Sequence, residues 1–139
     1  MLTRIRRELH TFAVLARTAL RMARVKPEND DTVADAFERV VDAYGDRPAI
    51  VFEGRTMTYR ELERAANRVA NWARAHGLHQ GRCAALFMEN RAEYLATWLG
   101  LAKTGAHVAL INTNLTGGPL VHALTVAEPV LVIVGTELE

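Results

Sequence analysis

The sequence has little of three features that often reveal a function at once: cysteine, long apolar runs and net charge. Its single cysteine, Cys83, excludes a disulfide within the chain and is consistent with a reducing compartment. No stretch approaches the roughly 20 apolar residues that a membrane-spanning helix needs. The formal net charge of +1 over 139 residues points to no oppositely charged partner for the chain as a whole. What remains is an ordinary globular composition with enough residues for one domain.

The charge is unevenly distributed, because the first 26 residues form a basic segment that we call the head. It holds seven Lys or Arg and one Glu, a net charge of 7 − 1 = +6, so the remainder carries 1 − 6 = −5. Apolar residues recur at helical spacing and arginines fill the other faces, which predicts an amphipathic helix over residues 3–25 within a first region, residues 1–27. We expect its membrane-contacting side chains to be Arg4, Arg6, Arg7, Phe12, Arg17, Arg21 and Arg24.

Other interpretations of the head stay open. A basic amphipathic helix suits an anionic membrane surface, which is the interpretation we favour, but the helix could instead cover the apolar surface of the following domain. An Arg-rich, acid-poor segment also fits a mitochondrial transit peptide, although this one has no serine. A cleavable secretory signal is not expected, because arginines recur where its apolar stretch should continue.

Residues 28–139 read as an α/β domain. Thr32 with Asp35 and Thr58 with Glu61 resemble capping boxes, which predicts helices starting at both threonines. Gly45 is expected to adopt the left-handed conformation that ends the first of these helices. Between the two helices, residues 49–52 and 55–59 read as a hairpin.

Three short apolar runs follow, over residues 83–87, 107–111 and 130–134, separated by one helix capped by Asn90 and another over residues 116–125. Strands that alternate with helices across short connections predict a parallel sheet with right-handed crossovers. We expect the buried core side chains to be Val33, Phe37, Val40, Leu62, Val69, Leu86, Leu95, Trp98, Leu99, Leu110 and Val132.

The sequence offers only weak candidates for a metal site or a reactive thiol. The cysteine lies in an apolar run, where packing in the core is expected. Zinc needs three or four convergent ligands, and no histidine has a metal-ligand spacing with Cys, Asp or Glu. The five histidines are His10, His76, His79, His107 and His122. Of these, His76 and His79 lie closest together in the sequence and are expected in a solvated turn.

The candidates for binding a phosphate group or a nucleic-acid base are equally weak. Gly117-Gly118-Pro119 reads as a helix entry rather than a phosphate cradle, since proline lacks an N–H and no lysine follows. Trp72, Trp98 and Tyr94 lie on apolar helical faces and are expected in the core. Basic residues do not interleave with them in the way that nucleic-acid binding needs, so no nucleic-acid partner is expected.

A family resemblance is carried by several motifs in order. Thr58-Tyr59-Arg60-Glu61-Leu62 resembles the "TYxEL" motif of the adenylate-forming superfamily, and residues 105–112 resemble its "GAxxxxIN" segment. Within that superfamily, Met88-Glu89-Asn90 and residues 98–105 and 109–115 are similar to the fatty-acid transport protein and very-long-chain acyl-CoA synthetase branch. The likeness covers residues 32–134. It implies a partial N-terminal domain of an adenylate-forming enzyme, a parallel βαβαβ unit plus a hairpin, preceded by the amphipathic helix.

The resemblance also implies an activity for a longer protein. A fatty acid carboxylate attacks the α-phosphate of ATP with Mg²⁺, releasing pyrophosphate, and the thiol of coenzyme A then displaces AMP from the acyl-adenylate. The Ser/Thr/Gly-rich loop, adenine segment, ribose-binding Asp and late Lys of the family have no counterpart here. No catalytic, cofactor-binding or metal-binding residue is therefore carried over, and the fragment alone is expected to be inactive and to bind none of these groups tightly.

The chain consequently looks like a portion of a longer enzyme. We expect a cytoplasmic protein with peripheral contact to the inner face of the membrane. The alternative is a non-catalytic module that docks on a membrane or a partner through the basic head.

Overall fold

The computed structural model describes residues 15–18 and 31–138 of the chain. It divides into two units, Met1–Asp31 and Thr32–Glu139. In the first unit, residues 15–18 are helical and exposed. Among the described residues, no helix combines the length and apolar character needed to cross a membrane.

The second unit begins with helix α1 and a hairpin and continues as alternating strands and helices. In chain order the elements are α1 (Val33–Tyr44), β1 (Pro48–Phe52), β2 (Arg55–Thr58), α2 (Tyr59–Ala75), β3 (Cys83–Phe87), α3 (Ala92–Ala102), β4 (His107–Leu110), α4 (Gly117–Ala127), β5 (Leu131–Val134) and a 3₁₀ turn (Thr136–Leu138).

The predicted parallel sheet is confirmed, with β3 at its centre in the order β4-β3-β5. β1 and β2 form a separate antiparallel hairpin. The central strand is the most buried, since Ala84, Ala85 and Leu86 are fully enclosed. Parallel neighbours joined by short helical crossovers explain why these strands read as apolar runs without alternation.

Both predicted capping boxes are present. The Thr32 hydroxyl accepts the Asp35 N–H at 3.2 Å, and the Asp35 carboxylate accepts the Thr32 N–H at 2.8 Å. Thr58 and Glu61 repeat the pattern at 3.2 and 2.8 Å. Hydrogen bonds from each threonine lower the pKa of the partner carboxyl, the side-chain hydroxyl leading for Asp35 and the backbone N–H for Glu61. The first turns of α1 and α2 are therefore specified locally.

Two predicted helix ends are wrong. α3 has Arg91 rather than Asn90 as its N-cap, and it has no side-chain cap because the arginine side chain has only donors and cannot accept a helix N–H. The Glu93 carboxylate accepts from Arg91 Nε instead. Gly45 is right-handed, with φ −48°. It is glycine for space instead, since a Cβ there would lie 2.8 Å from the backbone carbonyl oxygen of Val41.

Close packing of α2 on α3 forms the core. One cluster joins Leu62 and Ala66 of α2 to Ala96 and Leu99 of α3. The other joins the end of α2 to β3 and α3 through Ala73, Leu78, Ala84 and Leu101. Small residues let the helices approach, because a Cβ at Gly100 would lie 2.5 Å from the carbonyl oxygen of Ala66.

Most of the predicted core is at least partly enclosed. Leu62, Leu86 and Leu99 are buried, and five others are half-buried: Phe37, Val40, Val69, Leu95 and Trp98. The prediction is wrong for Val33, Leu110 and Val132, which are 45%, 49% and 46% exposed. Val33 lies in the first turn of α1, and the other two lie in the edge strands β4 and β5, where the described elements leave them uncovered.

Candidate functional site

The loops that leave β3 and β5 emerge side by side at the carboxyl edge of the sheet. Phe87 and Val134, the last residues of these strands, are register partners, and Gly135 N–H donates to the Phe87 carbonyl at 2.8 Å. Ligands of open α/β sheets bind outside the carboxyl ends of their strands. This edge is therefore the first place to look for a site.

An ion network ties the two loops together, and we call it the Arg91 network: Arg91, Glu93 and Glu137. Arg91 donates from Nη1 to Glu137 Oε2 at 2.8 Å and from Nε to Glu93 Oε2 at 2.9 Å. The Glu89 N–H donates to the other Glu137 oxygen at 2.9 Å. Two donors, the Glu89 N–H and Arg91 Nη1, thus hold the loop after β5 against the loop after β3.

These contacts favour the charged forms of all three groups. The pKa of Glu137 is lowered, chiefly by the Glu89 N–H and then by Arg91, and the pKa of Glu93 is lowered by its hydrogen bond from Arg91. The pKa of Arg91 is raised by Glu93 first and Glu137 second. The network carries a net charge of 1 − 2 = −1 and holds all three groups in their charged forms, which suits a structural wall better than an acid or base.

Beside this wall lies an open cleft of about 920 Å³ between the hairpin, the first half of α2 and the start of α3, which we call the hairpin cleft. The hairpin contributes the apolar side chains of its lining, and charged side chains come from the hairpin, from α2 and from the segments around α3. The apolar part includes Ile50, Phe52 and Met57, and the arginines outside the network are Arg55, Arg64 and Arg68.

Some charged side chains of the hairpin cleft form hydrogen bonds or ion pairs, and others form none. Glu61 caps α2, and Glu93 and Glu137 bind Arg91. Within the described part of the chain, Arg55, Arg64 and Arg68 make no hydrogen bond or ion pair with their side chains, and all three are exposed. Sequence reasoning missed this group. The spacing of four residues from Arg64 to Arg68 was the available signal, because it places both on one face of α2.

Comparison with known proteins decides the family, since residues 37–139 match the AMP-binding enzyme family. The chain belongs to this family. It is 36% identical over 135 residues to long-chain fatty acid transport protein 1 of Bos taurus, covering 96% of this chain and 21% of that protein. It is 35% identical over 104 residues to a very long-chain fatty acid transport protein of Cochliobolus heterostrophus, covering 74% and 16% respectively. The chain therefore spans about a fifth of the length of these relatives.

Solved structures of adenylate-forming enzymes share the fold. The anthranilate CoA ligase AuaEII in complex with anthranoyl-AMP matches with a TM-score of 0.71 and 29% identity, over 75% of this chain and 20% of that one. The N-terminal subdomain of Klebsiella oxytoca NpsA in complex with anthranilyl-AMSN matches with a TM-score of 0.70 and 28% identity, over 73% and 27%. The second unit of this AMP-binding family member therefore has the architecture of the N-terminal subdomain of such enzymes.

The described residues do not fit Mg²⁺ and a nucleotide triphosphate, the groups that the family implies. No group of three or more His, Cys, Asp or Glu side chains converges in residues 15–18 and 31–138. Gly117, with φ +54°, and Gly118 open α4 without a side-chain cap, as expected of a helix entry, and Pro119 has no N–H to offer a phosphate. No step of an adenylation reaction is assigned to these residues.

Lys103, at the end of α3, has a structural role. Its side chain is only 7% exposed and donates to Glu38 of α1 at 2.5 Å and to Glu63 of α2 at 2.6 Å. Burial opposes the charge, but the two carboxylates outweigh it and raise the pKa of Lys103. Lys103 therefore ties three helices together.

The remaining candidates from the sequence either are not among the residues that line the hairpin cleft or lie outside the described residues. Arg17 is exposed in the helical stretch 15–18. His76 and His79 are exposed in the turn after α2, and Cys83 is half-buried at the start of β3, as expected. The other head residues lie outside the described residues, namely Arg4, Arg6, Arg7, Phe12, Arg21 and Arg24.

The three aromatic residues expected in the core differ. Trp98 packs against the first core cluster and Tyr94 is half-buried, but Trp72 is 44% exposed and stacks on His76 with ring centroids 4.5 Å apart. The expectation that Trp72 lies in the core is therefore wrong, and Arg64 and Arg68 precede it at four-residue spacing on α2.

Proposed function

We propose that this chain is the N-terminal part of a long-chain or very-long-chain fatty acid–CoA ligase that forms an acyl-adenylate from ATP and then an acyl-CoA. The observation that carries the proposal is the 36% identity to a long-chain fatty acid transport protein over 96% of the chain. The fold shared with an anthranilate CoA ligase supports the reaction class. Fatty acid, ATP, Mg²⁺ and coenzyme A are the proposed substrates and cofactor of the longer protein.

In this proposal the described residues serve as scaffold. The parallel sheet and the packed pair α2–α3 form a rigid body, and the Arg91 network fixes the loops at the carboxyl edge of the sheet. Catalytic groups held on a well-packed framework keep their geometry, and positioning of this kind is worth roughly 7–11 kcal/mol in favourable reactions. The chemistry itself needs phosphate-binding and cationic groups that these residues do not supply.

The test is pyrophosphate release with ATP and Mg²⁺, measured on the protein encoded by the full reading frame and on the 139-residue chain. We expect palmitate-dependent release from the long form and none from the short chain above a heat-inactivated control. Anthranilate serves as the competing acid, because a structural relative is an anthranilate CoA ligase. A long form that turns over anthranilate and not palmitate would refute the fatty-acid assignment.

A second function, contact of the head with membranes, is favoured by its net charge of +6 and the exposed helical stretch 15–18 with Arg17. The proposed location is cytoplasmic, with the head on the inner face of the membrane. Each basic residue near an anionic surface contributes about 1 kcal/mol. Co-sedimentation should therefore be strong with anionic liposomes and weak with neutral ones, and equal binding to both would refute the electrostatic mechanism.

A further inference from the structure

Helix α4 lacks the charged outer face that a surface helix of a globular domain usually carries. Residues 104–127 contain no Asp, Glu, Lys or Arg, although 24% of the chain is charged. None of the α4 residues is buried by the described elements. A helix that is apolar on all sides is normally enclosed by its neighbours, so we expect α4 to contact a further surface.

The outer face of α4 is suited to burial without water. Its inner face is half-buried where the helix packs on β3, and Val121 and Val126 on the outer face are 63% and 70% exposed. The Thr125 hydroxyl donates to the Val121 carbonyl oxygen at 2.8 Å, so its hydrogen bond is already made within the helix. His122 is the remaining polar side chain on this face.

Strand β5 is left uncovered beside α4. Leu131 and Ile133 pack against the second core cluster, so Val132 and Val134 project from the opposite face of the sheet, because side chains alternate along a strand. The crossovers through α3 and α4 run in opposite directions across the order β4-β3-β5, so right-handed connections place α4 on that opposite face. A helix about 10 Å wide covers about two strands spaced 4.8 Å apart. Val132 and Val134 accordingly remain 46% and 42% exposed.

We propose that this surface pairs with the same surface of a second copy of the chain, and we call it the valine face: Val121, Val126, Val132 and Val134. In the pair, the outer side of α4 of each copy lies on the uncovered β5 of the other, so both α4 helices lie side by side between two sheets. The fit is self-complementary, because each copy offers one protruding helix and one vacant strand.

The absence of charge on the valine face favours a second copy as its partner. A two-fold axis brings one patch against itself, so a charged patch would meet its own charge. The valine face has no charged side chain to oppose, and exposed apolar patches of this kind commonly mark interaction sites between proteins. The proposal concerns association alone and does not rest on the proposed ligase activity.

The experiment measures the mass of the 139-residue chain by sedimentation equilibrium between about 1 and 300 μM. We expect the weight-average mass to rise from 15.4 kDa toward 2 × 15.4 = 30.8 kDa. The Kd should be on the order of 10–100 μM, because a helix of 11 residues is only about 16 Å long and gives a small interface. A mass that stays at 15.4 kDa overturns the proposal, and so does growth past 30.8 kDa, because an isologous pair closes on itself.

A matched pair of variants locates the interface. Val126→Lys places a charge on the outer side of α4, and Val51→Lys places one on the hairpin at nearly the same exposure, 70% against 71%. We expect Val126→Lys to weaken the dimer at least tenfold, because desolvating an unpaired charge costs several kcal/mol, and Val51→Lys to change the Kd less than twofold. Circular dichroism should show both variants folded, since both valines are exposed. Equal effects, or an unchanged Kd for Val126→Lys as expected if the edges of β5 paired instead, overturn the assignment.

A mixture of two variants tests the arrangement of α4 on β5. Val132→Glu should weaken association of the chain with itself as Val126→Lys does. When the two variants are mixed, the introduced lysine of one copy meets the introduced glutamate of the other, so we expect the mixture to form dimers at concentrations where each variant alone is a monomer. No gain of mass on mixing overturns the arrangement. Pyrophosphate release by the longer protein does not report on this face, so either result leaves the ligase proposal intact.

Discussion

Gly100 is the residue at which the packing of α2 on α3 is most exacting, so Gly100→Ala is the sharpest test of the fold. A Cβ at this position would lie 2.5 Å from the Ala66 carbonyl oxygen and 2.6 Å from the Val69 Cβ. An ordinary van der Waals contact begins at 3.4 Å, so the helices would have to separate locally by 3.4 − 2.5 = 0.9 Å. Ala66, Ala70 and Ala73 are already fully enclosed on the facing helix and cannot move aside as a flexible side chain could.

Two effects of opposite sign compete in this variant. Alanine is favoured over glycine inside a helix by about 1 kcal/mol. Overpacking a well-filled core costs about 1–3 kcal/mol, and the contact here involves backbone, which relaxes least. We expect the clash to dominate and Gly100→Ala to lower the free energy of unfolding by about 1–2 kcal/mol net, which is a decrease of about 4–8 °C in Tm for a domain of this size.

The assay is thermal and urea unfolding followed by circular dichroism at 222 nm, with Gly118→Ala as the control. Gly118 also lies in a helix, but a Cβ there would meet nothing within 4 Å. Only the helix propensity then acts, and Gly118→Ala should be neutral or stabilising by less than about 1 kcal/mol. A Gly100→Ala protein as stable as the parent chain would show that the two helices do not approach as closely as described.

Three further changes test single contacts. Lys103→Ala should lower the free energy of unfolding in urea by about 2–3 kcal/mol, less than for a fully buried pair because one of its two carboxylate partners is largely exposed; a neutral result would contradict the tie between three helices. Thr58→Ala should cost about 1 kcal/mol by removing the cap of α2, whereas Thr58→Ser should be close to neutral, and equal losses would point to the methyl group instead. The lowered pKa of Glu137 stabilises the fold above the unfolded value of 4.5, and this contribution disappears as pH falls through the lower folded value. Glu137→Gln should therefore lose less Tm than the parent chain between about pH 6 and about pH 3, and parallel Tm profiles would count against the network.

Local signals in the sequence predicted the elements of the fold well. A capping box involves residues only three apart, so Thr32 and Thr58 predict the starts of α1 and α2 from local sequence alone. The short apolar runs marked β3, β4 and β5 to within about a residue. Their alternation with helices then predicted the parallel sheet, because each crossover returns the chain in the same direction.

Burial could not be predicted with the same success. An apolar pattern identifies side chains that would gain from being covered, but coverage depends on a neighbour that the pattern does not name. Leu110 and Val132 have the spacing of core residues and lie in edge strands, and Trp72 lies at the boundary of the buried face of α2. Edge strands of this kind are a known aggregation hazard when they stay uncovered.

Contacts between residues that are far apart in the sequence could not be predicted from it. Arg91 and Glu137 are 46 residues apart and meet because β3 and β5 are neighbours in the sheet. Three strands in sequence leave three lateral orders open, and these loops lie side by side only in the orders that make β3 and β5 neighbours, as the observed order β4-β3-β5 does. The Arg91 network is thus a product of topology, and no spacing rule could have indicated it.

The arginines of the hairpin cleft lie among carboxylates, because the lining of the cleft holds four arginines and five glutamates. Like charges four residues apart on a helix, such as Arg64 and Arg68, disfavour the helix by about 0.2–0.5 kcal/mol. The neighbouring carboxylates of Glu61 and Glu93 each have a partner, so the chain supplies compensation where stability alone requires it. Glu61, three residues before Arg64 on the same helix, offsets this repulsion. The pKa of the Glu61 carboxyl is lowered first by its hydrogen bonds from Thr58 and also by the positive charge of Arg64, so the opposite charge needed to balance Arg64 is supplied within α2 itself.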